Sequence, residues 1–308
     1  MQVSSNKISL EVQEFGHKGN IPLIMISGFG SQLCDWPINL INKIVEKDIR
    51  VIIFDNRDVG LSQKFEGHKV DDMSLIWKYS FSRDKLPKNI DKPEVPYSLN
   101  DMAEDCVNIL SALSIKKAHI LGTSMGGMIA QLVAINYPDR CKSLISVMST
   151  SGNPKLPRPS KKVIDGLIHQ PKSSKKDDVI ENSLMTRKLW SSPKYPTSEE
   201  LLREKFSYRY DRMYYPDGST RQYAAIGDDG DRTQRLQKIS LPSLILHGAS
   251  DNLVPLEAGI DTHRNISGSK IEILEGWGHD LPEGMHEWIV DKICLLYTSP
   301  SPRDLSTS

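Results

Sequence analysis

The sequence predicts an α/β protein built on a mostly parallel, doubly wound sheet. Short apolar runs alternate with stretches of helical period along most of the chain. One apolar run leads directly into a Gly-x-Ser-x-Gly turn, and an aspartate and a histidine follow two later runs. The chain has 308 residues, of which 38% are hydrophobic, so it has enough apolar material for a sizeable core.

The first third of the chain supplies three strand-like runs and two helical stretches. Residues 7–15 are expected to form an edge strand, and residues 22–26 read as a buried strand that ends at Ser-Gly-Phe-Gly. Residues 37–47 carry apolar side chains at helical spacing, and residues 50–54 form the next buried run. In residues 98–113, apolar side chains recur at helical spacing, and Ser98 is the expected N-cap of this helix.

The turn around Ser124 is the most informative local feature. It lies between an apolar run at residues 118–121 and a helical stretch at residues 125–137. A serine between a strand and a helix stands on a tight elbow, and Gly122 and Gly126 allow that turn to close. Ser124 is therefore the candidate nucleophile.

Three more strands are expected at residues 144–148, 243–247 and 270–274. A helical stretch at residues 256–264 separates the last two. Because buried strands alternate with helices, the predicted core comprises residues 1–150 and 236–293.

Residues 151–235 interrupt this alternation. The segment has no convincing strand, but it has several amphipathic stretches and a possible capping box between Thr197 and Glu200. An insertion after the sixth strand is expected to lie as a helical lid over the carboxyl ends of the strands, where ligands bind in such sheets. Its aromatic side chains either pack within the lid or line a substrate pocket: Trp190, Phe206, Tyr208, Tyr210, Tyr214, Tyr215 and Tyr223.

An acid and a histidine follow the last two strands, at Asp251 and His279. A serine hydroxyl is a weak nucleophile at neutral pH, so it needs a base within reach, and the base needs a carboxylate that fixes its tautomer. Asp251 and His279 fit these two roles. Rival acids either precede the elbow or lie away from a strand end: Asp58, Asp228 and Asp280.

Backbone N–H groups are available for the oxyanion that develops during acyl transfer. We expect these donors at Met125, which begins the helix after Ser124, and at Phe29, in the loop after the strand at residues 22–26. Four further residues are candidate substrate contacts: Gly28, Trp277, Val254 and Tyr214.

The composition argues against several other classes. Lys plus Arg equal Asp plus Glu at 39 each, and no long basic run is present, so neither nucleic acid nor a membrane surface is an expected partner. The four cysteines are widely spaced without metal-ligand spacing, and we expect them to be reduced and structural, with no metal and no cofactor. No signal peptide or membrane span is evident, which favours the cytoplasm.

The last residues need separate treatment. Residues 294–308 resemble the translation of a sequencing adapter, so we expect them to be disordered and to form no part of the fold. The final helix, which begins near Pro282, would then be interrupted after Ile293. The alternative is a genuine tail rich in serine and proline.

From about residue 21 to residue 293, the chain resembles the α/β-hydrolases. The resemblance rests on Gly-Phe-Gly followed by Trp-Pro, on residues 55–62 (DNRDVGLS), on residues 122–131 (GTSMGGMIAQ) and on residues 276–282 (GWGHDLP). These motifs are similar to an esterase-like branch that includes aclacinomycin methylesterase. The resemblance implies a triad of Ser124, Asp251 and His279, with Phe29 and Met125 as oxyanion donors. Where many relatives have His-Gly, this chain has Ser27-Gly28.

The resulting hypothesis is a cytoplasmic serine hydrolase that cleaves a small-molecule carboxylic ester through an acyl-enzyme at Ser124. A lactonase of the enol-lactone type would use the same triad, and a ligand-binding receptor with an idle triad is an alternative from another class. The composition of the lid favours uncharged, small-to-medium acyl groups. A carboxylate-bearing substrate would instead require an arginine from the lid, with Arg187, Arg209 and Arg212 as candidates. Oligomeric state is left open.

Overall fold

An eight-stranded sheet forms the centre of the computed structural model, which describes residues 1–5, 8–70, 72–82 and 85–298. In chain order the strands are β1 Gln2–Ser5, β2 Ile8–Phe15, β3 Ile21–Ile26, β4 Ile49–Phe54, β5 Ala118–Thr123, β6 Cys141–Val147, β7 Ser243–Gly248 and β8 Lys270–Leu274. They lie side by side in the order β1-β2-β4-β3-β5-β6-β7-β8. The first two strands pair antiparallel, and β3 to β8 are parallel to one another. This confirms the predicted fold class.

Helices cover both faces of the sheet because the central strands are apolar on both sides. The helices are α1 Ile38–Val45, α2 Met73–Phe81, α3 Leu99–Ala112, α4 Met125–Asn136, α5 Lys161–Leu167, α6 Lys176–Arg187, α7 Glu199–Arg212, α8 Asp217–Asp229, α9 Thr233–Leu236, α10 Leu256–Arg264 and α11 His286–Thr298. On β3, Ile24 and Ile26 belong to the core under α3 and α4. Leu23 and Met25 belong to the opposite core, under α1 and α11. The sheet is therefore doubly wound.

The N-terminal end differs from the prediction in one respect. The run predicted as an edge strand forms β2, but β1 pairs along its outer side, with Val3 opposite Leu10. Val3 is buried, although its neighbours in sequence are polar. Buried and exposed residues alternate over only four positions in β1. A pattern this short cannot be distinguished from a polar terminus in the sequence.

Two predicted helix starts can be compared directly. Ser98 caps α3 as predicted, because its Oγ accepts a hydrogen bond from the Asp101 N–H at 3.2 Å. The capping box expected between Thr197 and Glu200 is wrong. Ser198 is the cap of α7, and its Oγ accepts from the Leu201 N–H at 3.3 Å. The cap is one residue later than the motif suggested.

The interval between β6 and β7 contains five helices, α5 to α9, and no strand; all of its residues are described. Helices α6 and α7 pack against each other, while α8 packs against α2, a helix that was not predicted from the sequence. Among the described residues, none of the helices is both long and apolar enough to cross a bilayer.

The prediction that the last helix is interrupted after Ile293 is wrong. Helix α11 continues to Thr298. Leu296 is 7% exposed and packs in the same core as Ile289 and Ile293. The expectation of disorder is thus wrong for residues 294–298, and for residues 299–308 it falls outside the described residues.

Candidate active site

Ser124 occupies a strained position between β5 and α4. Its backbone dihedrals are φ 55° and ψ −121°, a conformation that costs a residue with a side chain about 1–3 kcal/mol. Two of its backbone hydrogen bonds tie it to the carboxyl end of β6. The Ser124 N–H donates to the Val147 carbonyl at 2.9 Å, and the Ser149 hydroxyl donates to the Ser124 carbonyl at 2.8 Å. The Ser124 side chain therefore faces the cavity at the carboxyl end of β5.

The two glycines of the elbow are required by close backbone approaches. A Cβ atom at Gly122 would stand 1.9 Å from the carbonyl oxygen of Gly126. A Cβ atom at Gly126 would stand 2.1 Å from the carbonyl oxygen of Ile26, on the neighbouring strand. Both distances are far shorter than any van der Waals contact, so the Gly-x-Ser-x-Gly spacing has a direct steric cause here.

Asp251 and His279 meet at the same edge of the sheet. Asp251 follows β7 and His279 follows β8, and Asp251 Oδ2 lies 2.7 Å from His279 Nδ1. The other carboxylate oxygen accepts hydrogen bonds from the N–H groups of Leu253 at 2.9 Å and Val254 at 2.8 Å. The backbone N–H of His279 donates to the Trp190 carbonyl at 2.7 Å, and this bond connects the loop that carries His279 to the helical insertion. The carboxylate is thus held in the orientation that bonds the ring.

Ser124 and His279 line one cavity, but the Ser124 hydroxyl makes no hydrogen bond to any residue that the structure describes. Such bonds are often long in free enzymes and tighten when substrate binds. The three predicted residues therefore lie at one site, but the hydrogen bond between the Ser124 hydroxyl and the His279 ring is not formed.

The rival acids have other partners. Asp58 forms a two-pronged ion pair with Arg221, at 2.8 and 2.9 Å. Asp280 accepts a hydrogen bond from the Ser192 N–H and lies 3.1 Å from Arg187. The third, Asp228, pairs with Lys92. Of the four candidates, Asp251 is the one bonded to the His279 ring.

A second histidine lies near Asp251. His247 is fully buried, its Nε2 stands 2.8 Å from the Val254 carbonyl, and burial lowers the pKa of its ring. A nitrogen that faces a carbonyl oxygen carries the proton. With that proton directed at Val254 and with Nε2 3.8 Å from Asp251 Oδ2, His247 does not compete with His279 for the carboxylate.

Both residues expected to supply oxyanion donors, Phe29 and Met125, line the same cavity as Ser124. Neither the Phe29 N–H nor the Met125 N–H donates to another described residue. Met125 is the first residue of α4, where the helix dipole favours negative charge. Gly28 brings the Phe29 loop close, because a Cβ atom at Gly28 would lie 3.9 Å from Ser124 Oγ.

The cavity has a volume of about 1040 Å³. Its lining includes Gly28, Val254 and Tyr214, three of the candidate substrate contacts, whose role stays a prediction. Of the seven aromatic side chains singled out in the insertion, Tyr208 is 62% exposed and does not line the cavity. The others do: Trp190, Phe206, Tyr210, Tyr214, Tyr215 and Tyr223.

The prediction that Trp277 contacts substrate is wrong. Its side chain is completely buried in the core under α1 and α11, away from the cavity. The indole N–H donates to the Asp280 carbonyl at 2.7 Å, and the ring packs edge-to-face on Trp288 at 5.9 Å. The turn after β8 directs this side chain into the core, while His279, two residues later, faces the cavity.

Sequence reasoning missed two amides that hold the loop of Phe29. Asn56 donates to the Ser27 carbonyl at 3.0 Å, and Gln222 bonds both Gly30 and Arg57. Asn56 belongs to the motif at residues 55–62, which could have drawn attention to it. Gln222 stands on an amphipathic helix with no motif around it. Within the described ranges, no three His, Cys, Asp or Glu side chains are grouped to hold a metal ion.

Known proteins resemble this chain in sequence and in fold. The family model of the alpha/beta hydrolase fold matches residues 21–283. The chain is similar to a rhodomycin D methylesterase of Streptomyces sp. (strain C5), at 22% identity over 95% of this chain and 96% of that protein.

Two solved structures share the fold. A meta-cleavage product hydrolase from Pseudomonas fluorescens IP01 superposes with a TM-score of 0.73 at 18% identity, covering 96% of this chain and 97% of the other. An enol-lactonase from Burkholderia xenovorans LB400 superposes with a TM-score of 0.71 at 16% identity, covering 97% of this chain and all of the other. The sheet order, the elbow and the family match over most of the chain agree: the protein belongs to the α/β-hydrolase fold family.

Proposed function

We propose that the protein is a serine hydrolase that cleaves a carboxylic ester through an acyl-enzyme intermediate. The observation that carries this proposal is the 2.7 Å contact between Asp251 and His279 at the rim of the cavity that contains Ser124. The similarity to a methylesterase along nearly the whole chain supports hydrolysis, and an ester substrate in particular.

In the first half-reaction Ser124 Oγ attacks the ester carbonyl carbon while His279 Nε2 takes the hydroxyl proton. Asp251 stabilises the imidazolium that forms, and the N–H groups of Phe29 and Met125 bind the oxyanion. The carbon–oxygen bond of the ester then breaks, and His279 gives its proton to the departing alcohol. In the second half-reaction water attacks the acyl-enzyme, His279 takes a proton from that water, and the acid leaves as Ser124 recovers its proton.

We further propose that the five-helix insertion serves as a lid and favours uncharged acyl groups. Two of the three candidate arginines line the cavity, but each already faces a carboxylate, Arg187 at 3.1 Å from Asp280 and Arg209 at 3.7 Å from Asp35. The third, Arg212, does not line the cavity and pairs with Asp55 at 2.7 Å. Cations that are already paired gain less from an anionic ligand than free ones.

A lactonase is the second candidate. The superposition on an enol-lactonase supports it, and a lactone is a cyclic ester that the same three side chains could open. The two activities differ in the fate of the alcohol, which departs from an open-chain ester but stays attached to the acyl group of a lactone.

The test is covalent labelling together with a substrate panel. A fluorophosphonate probe should label Ser124 in the wild-type protein and should leave Ser124→Ala unlabelled. p-Nitrophenyl esters of graded chain length, assayed beside lactones, then separate the two activities. Labelling that persists in Ser124→Ala would contradict the assignment of the nucleophile. Tight ligand binding without labelling or turnover would favour the receptor alternative. The cytoplasmic location and the lack of a cofactor stay predictions from the sequence.

A further inference from the structure

The loop that carries the Phe29 N–H, residues 27–31, has little support of its own. Within it, the Ser31 N–H donates to the Gly28 carbonyl at 3.2 Å, and Gly30 has a φ of +63°. The Ser27 hydroxyl is buried and makes no hydrogen bond within the described part of the chain. The geometry of this oxyanion loop must therefore be set by other segments.

Gln222, on α8 of the insertion, provides a two-point attachment. Its Oε1 accepts the Gly30 N–H at 2.8 Å, and its Nε2 donates to the Arg57 carbonyl at 3.0 Å. The side chain is completely buried. One amide thus joins the oxyanion loop to the loop after β4, and its bond to Gly30 is one residue from the proposed donor at Phe29.

Helix α8 is itself fixed against the core on both sides of Gln222. Arg221 forms the two-pronged ion pair with Asp58, at 2.8 and 2.9 Å. The Tyr223 ring packs on the Phe29 ring at a centroid distance of 6.0 Å. Three consecutive residues of α8, 221–223, therefore contact the core at or next to the oxyanion loop. These contacts fix the position of Gln222.

We propose that Gln222 is a positioning residue that orients the Phe29 N–H toward the reacting carbonyl, so that the insertion contributes to catalysis as well as covering the site. This inference rests on the proposed function. Losing one oxyanion donor costs about 10²–10³ in turnover, and a donor that is misplaced rather than lost should cost less. We expect Gln222→Leu to lower kcat by about 10- to 100-fold, with a smaller change in KM, because the donor acts mainly in the transition state.

A buried amide also stabilises the fold, so a matched control is needed. Gln131 on α4 is equally buried and also joins the insertion to the core. Its Oε1 accepts from Arg232 Nε at 3.1 Å, and its Nε2 donates to the Ser146 hydroxyl at 3.2 Å. Neither of these hydrogen bonds reaches residues 27–31. Gln131→Leu therefore removes a similar pair of buried hydrogen bonds without releasing Gly30.

The experiment compares the two variants well below their melting temperatures. With p-nitrophenyl acetate, Gln222→Leu should lose kcat and Gln131→Leu should keep it. A trifluoromethyl ketone forms a tetrahedral oxyanion on the nucleophile, so its affinity should fall in Gln222→Leu by about the same factor as kcat/KM. Hydrogen exchange at the Gly30 amide should accelerate in Gln222→Leu alone. Gln222→Glu keeps the oxygen that faces Gly30 and, with its buried carboxyl group protonated, also a donor toward the Arg57 carbonyl, so it serves as the second variant and should retain kcat closer to that of the wild type.

Three results would overturn the proposal: wild-type kcat in Gln222→Leu, an equal loss of kcat in Gln131→Leu, or unchanged exchange at Gly30. If the wild-type protein were neither labelled at Ser124 nor active on esters, the proposed function would fail instead. Exchange at Gly30 would still report whether Gln222 holds the loop.

Discussion

Replacing Asp251 with asparagine tests the proposed triad sharply, because the surrounding bonds dictate how the new amide must lie. One carboxylate oxygen accepts the N–H groups of Leu253 and Val254, at 2.9 and 2.8 Å, and the other lies 2.7 Å from His279 Nδ1. An asparagine must keep its oxygen toward the two N–H donors, because an NH₂ group there would leave each buried donor unpaired at about 1–3 kcal/mol. Its NH₂ group therefore faces His279 Nδ1.

That orientation forces the wrong tautomer on the histidine. With an N–H donor opposite Nδ1, the ring must accept at Nδ1 and carry its proton on Nε2, where it can no longer take the proton of Ser124. The equivalent change in a known triad lowers kcat by about 10⁴, which corresponds to about 5 kcal/mol of transition-state stabilisation. Both backbone bonds to the side chain survive, so the free energy of unfolding should change by less than about 1 kcal/mol.

The assay combines initial rates on p-nitrophenyl acetate with urea unfolding of the same preparation. The expected result is a loss of turnover by orders of magnitude at nearly wild-type stability. Activity within tenfold of the wild type would refute the assignment of the acid. Asp58 and Asp280 would then be tested next, although each has an arginine partner.

Three further predictions concern specificity, the last helix and acid stability. Neutral methyl esters should have higher kcat/KM values than matched half-esters of dicarboxylic acids, because Arg187 and Arg209 already face carboxylates. Removing residues 299–308 should leave the urea midpoint unchanged, whereas Leu296→Ala and Trp288→Ala should each lower the free energy of unfolding by about 2–3 kcal/mol, since both side chains pack in the core under α1 and α11. Burial lowers the pKa of His119 to about 3, so stability should be full above pH 6.5 and should fall as the pH drops toward 3, by up to about 1.4 kcal/mol per pH unit.

Each of these predictions has a control or a contrary outcome. A preference for half-esters would show that an arginine of the cavity is free to bind a carboxylate. A lower midpoint after removal of residues 299–308 would show that they pack on the fold and would argue against an adapter origin. His119→Asn can keep the contact to the Ser143 hydroxyl, 2.6 Å from the ring, but does not titrate. An unchanged acid dependence in that variant would mean that other groups, such as His247, cause it.

The local features of the chain were readable from sequence because they depend on neighbouring residues. Apolar runs such as residues 22–26 are buried on both faces of a parallel sheet, so a continuous hydrophobic run marks them without further information. The elbow is equally local. The backbone passes so close to Gly122 and Gly126 that only glycine fits at these two positions, and both lie within two residues of Ser124. The pairing of Asp251 with His279 followed from the rule that parallel strands end at the same edge.

Features that depend on distant partners could not be read in this way. Trp277 and His279 are two residues apart, yet the fold sends one side chain into the core and the other to the cavity. In a regular strand, side chains two residues apart lie on the same face. The turn after β8 is irregular, so this rule does not tell which of the two side chains is buried. The last helix likewise passes its predicted end because Leu296 finds a core to pack against, which its own segment does not reveal.

By itself, the sequence determined the alternation of the central strands and helices, the elbow at Ser124 and the three side chains of the candidate triad, but it did not reveal β1 or α2. The tertiary structure alone decided which strand lies at the edge of the sheet, which aromatic side chains face the cavity and which amides hold the oxyanion loop. The physical reason is separation along the chain. Gln222 bonds Gly30 across 192 residues, and no local periodicity records a hydrogen bond that forms only when the insertion folds back onto the sheet.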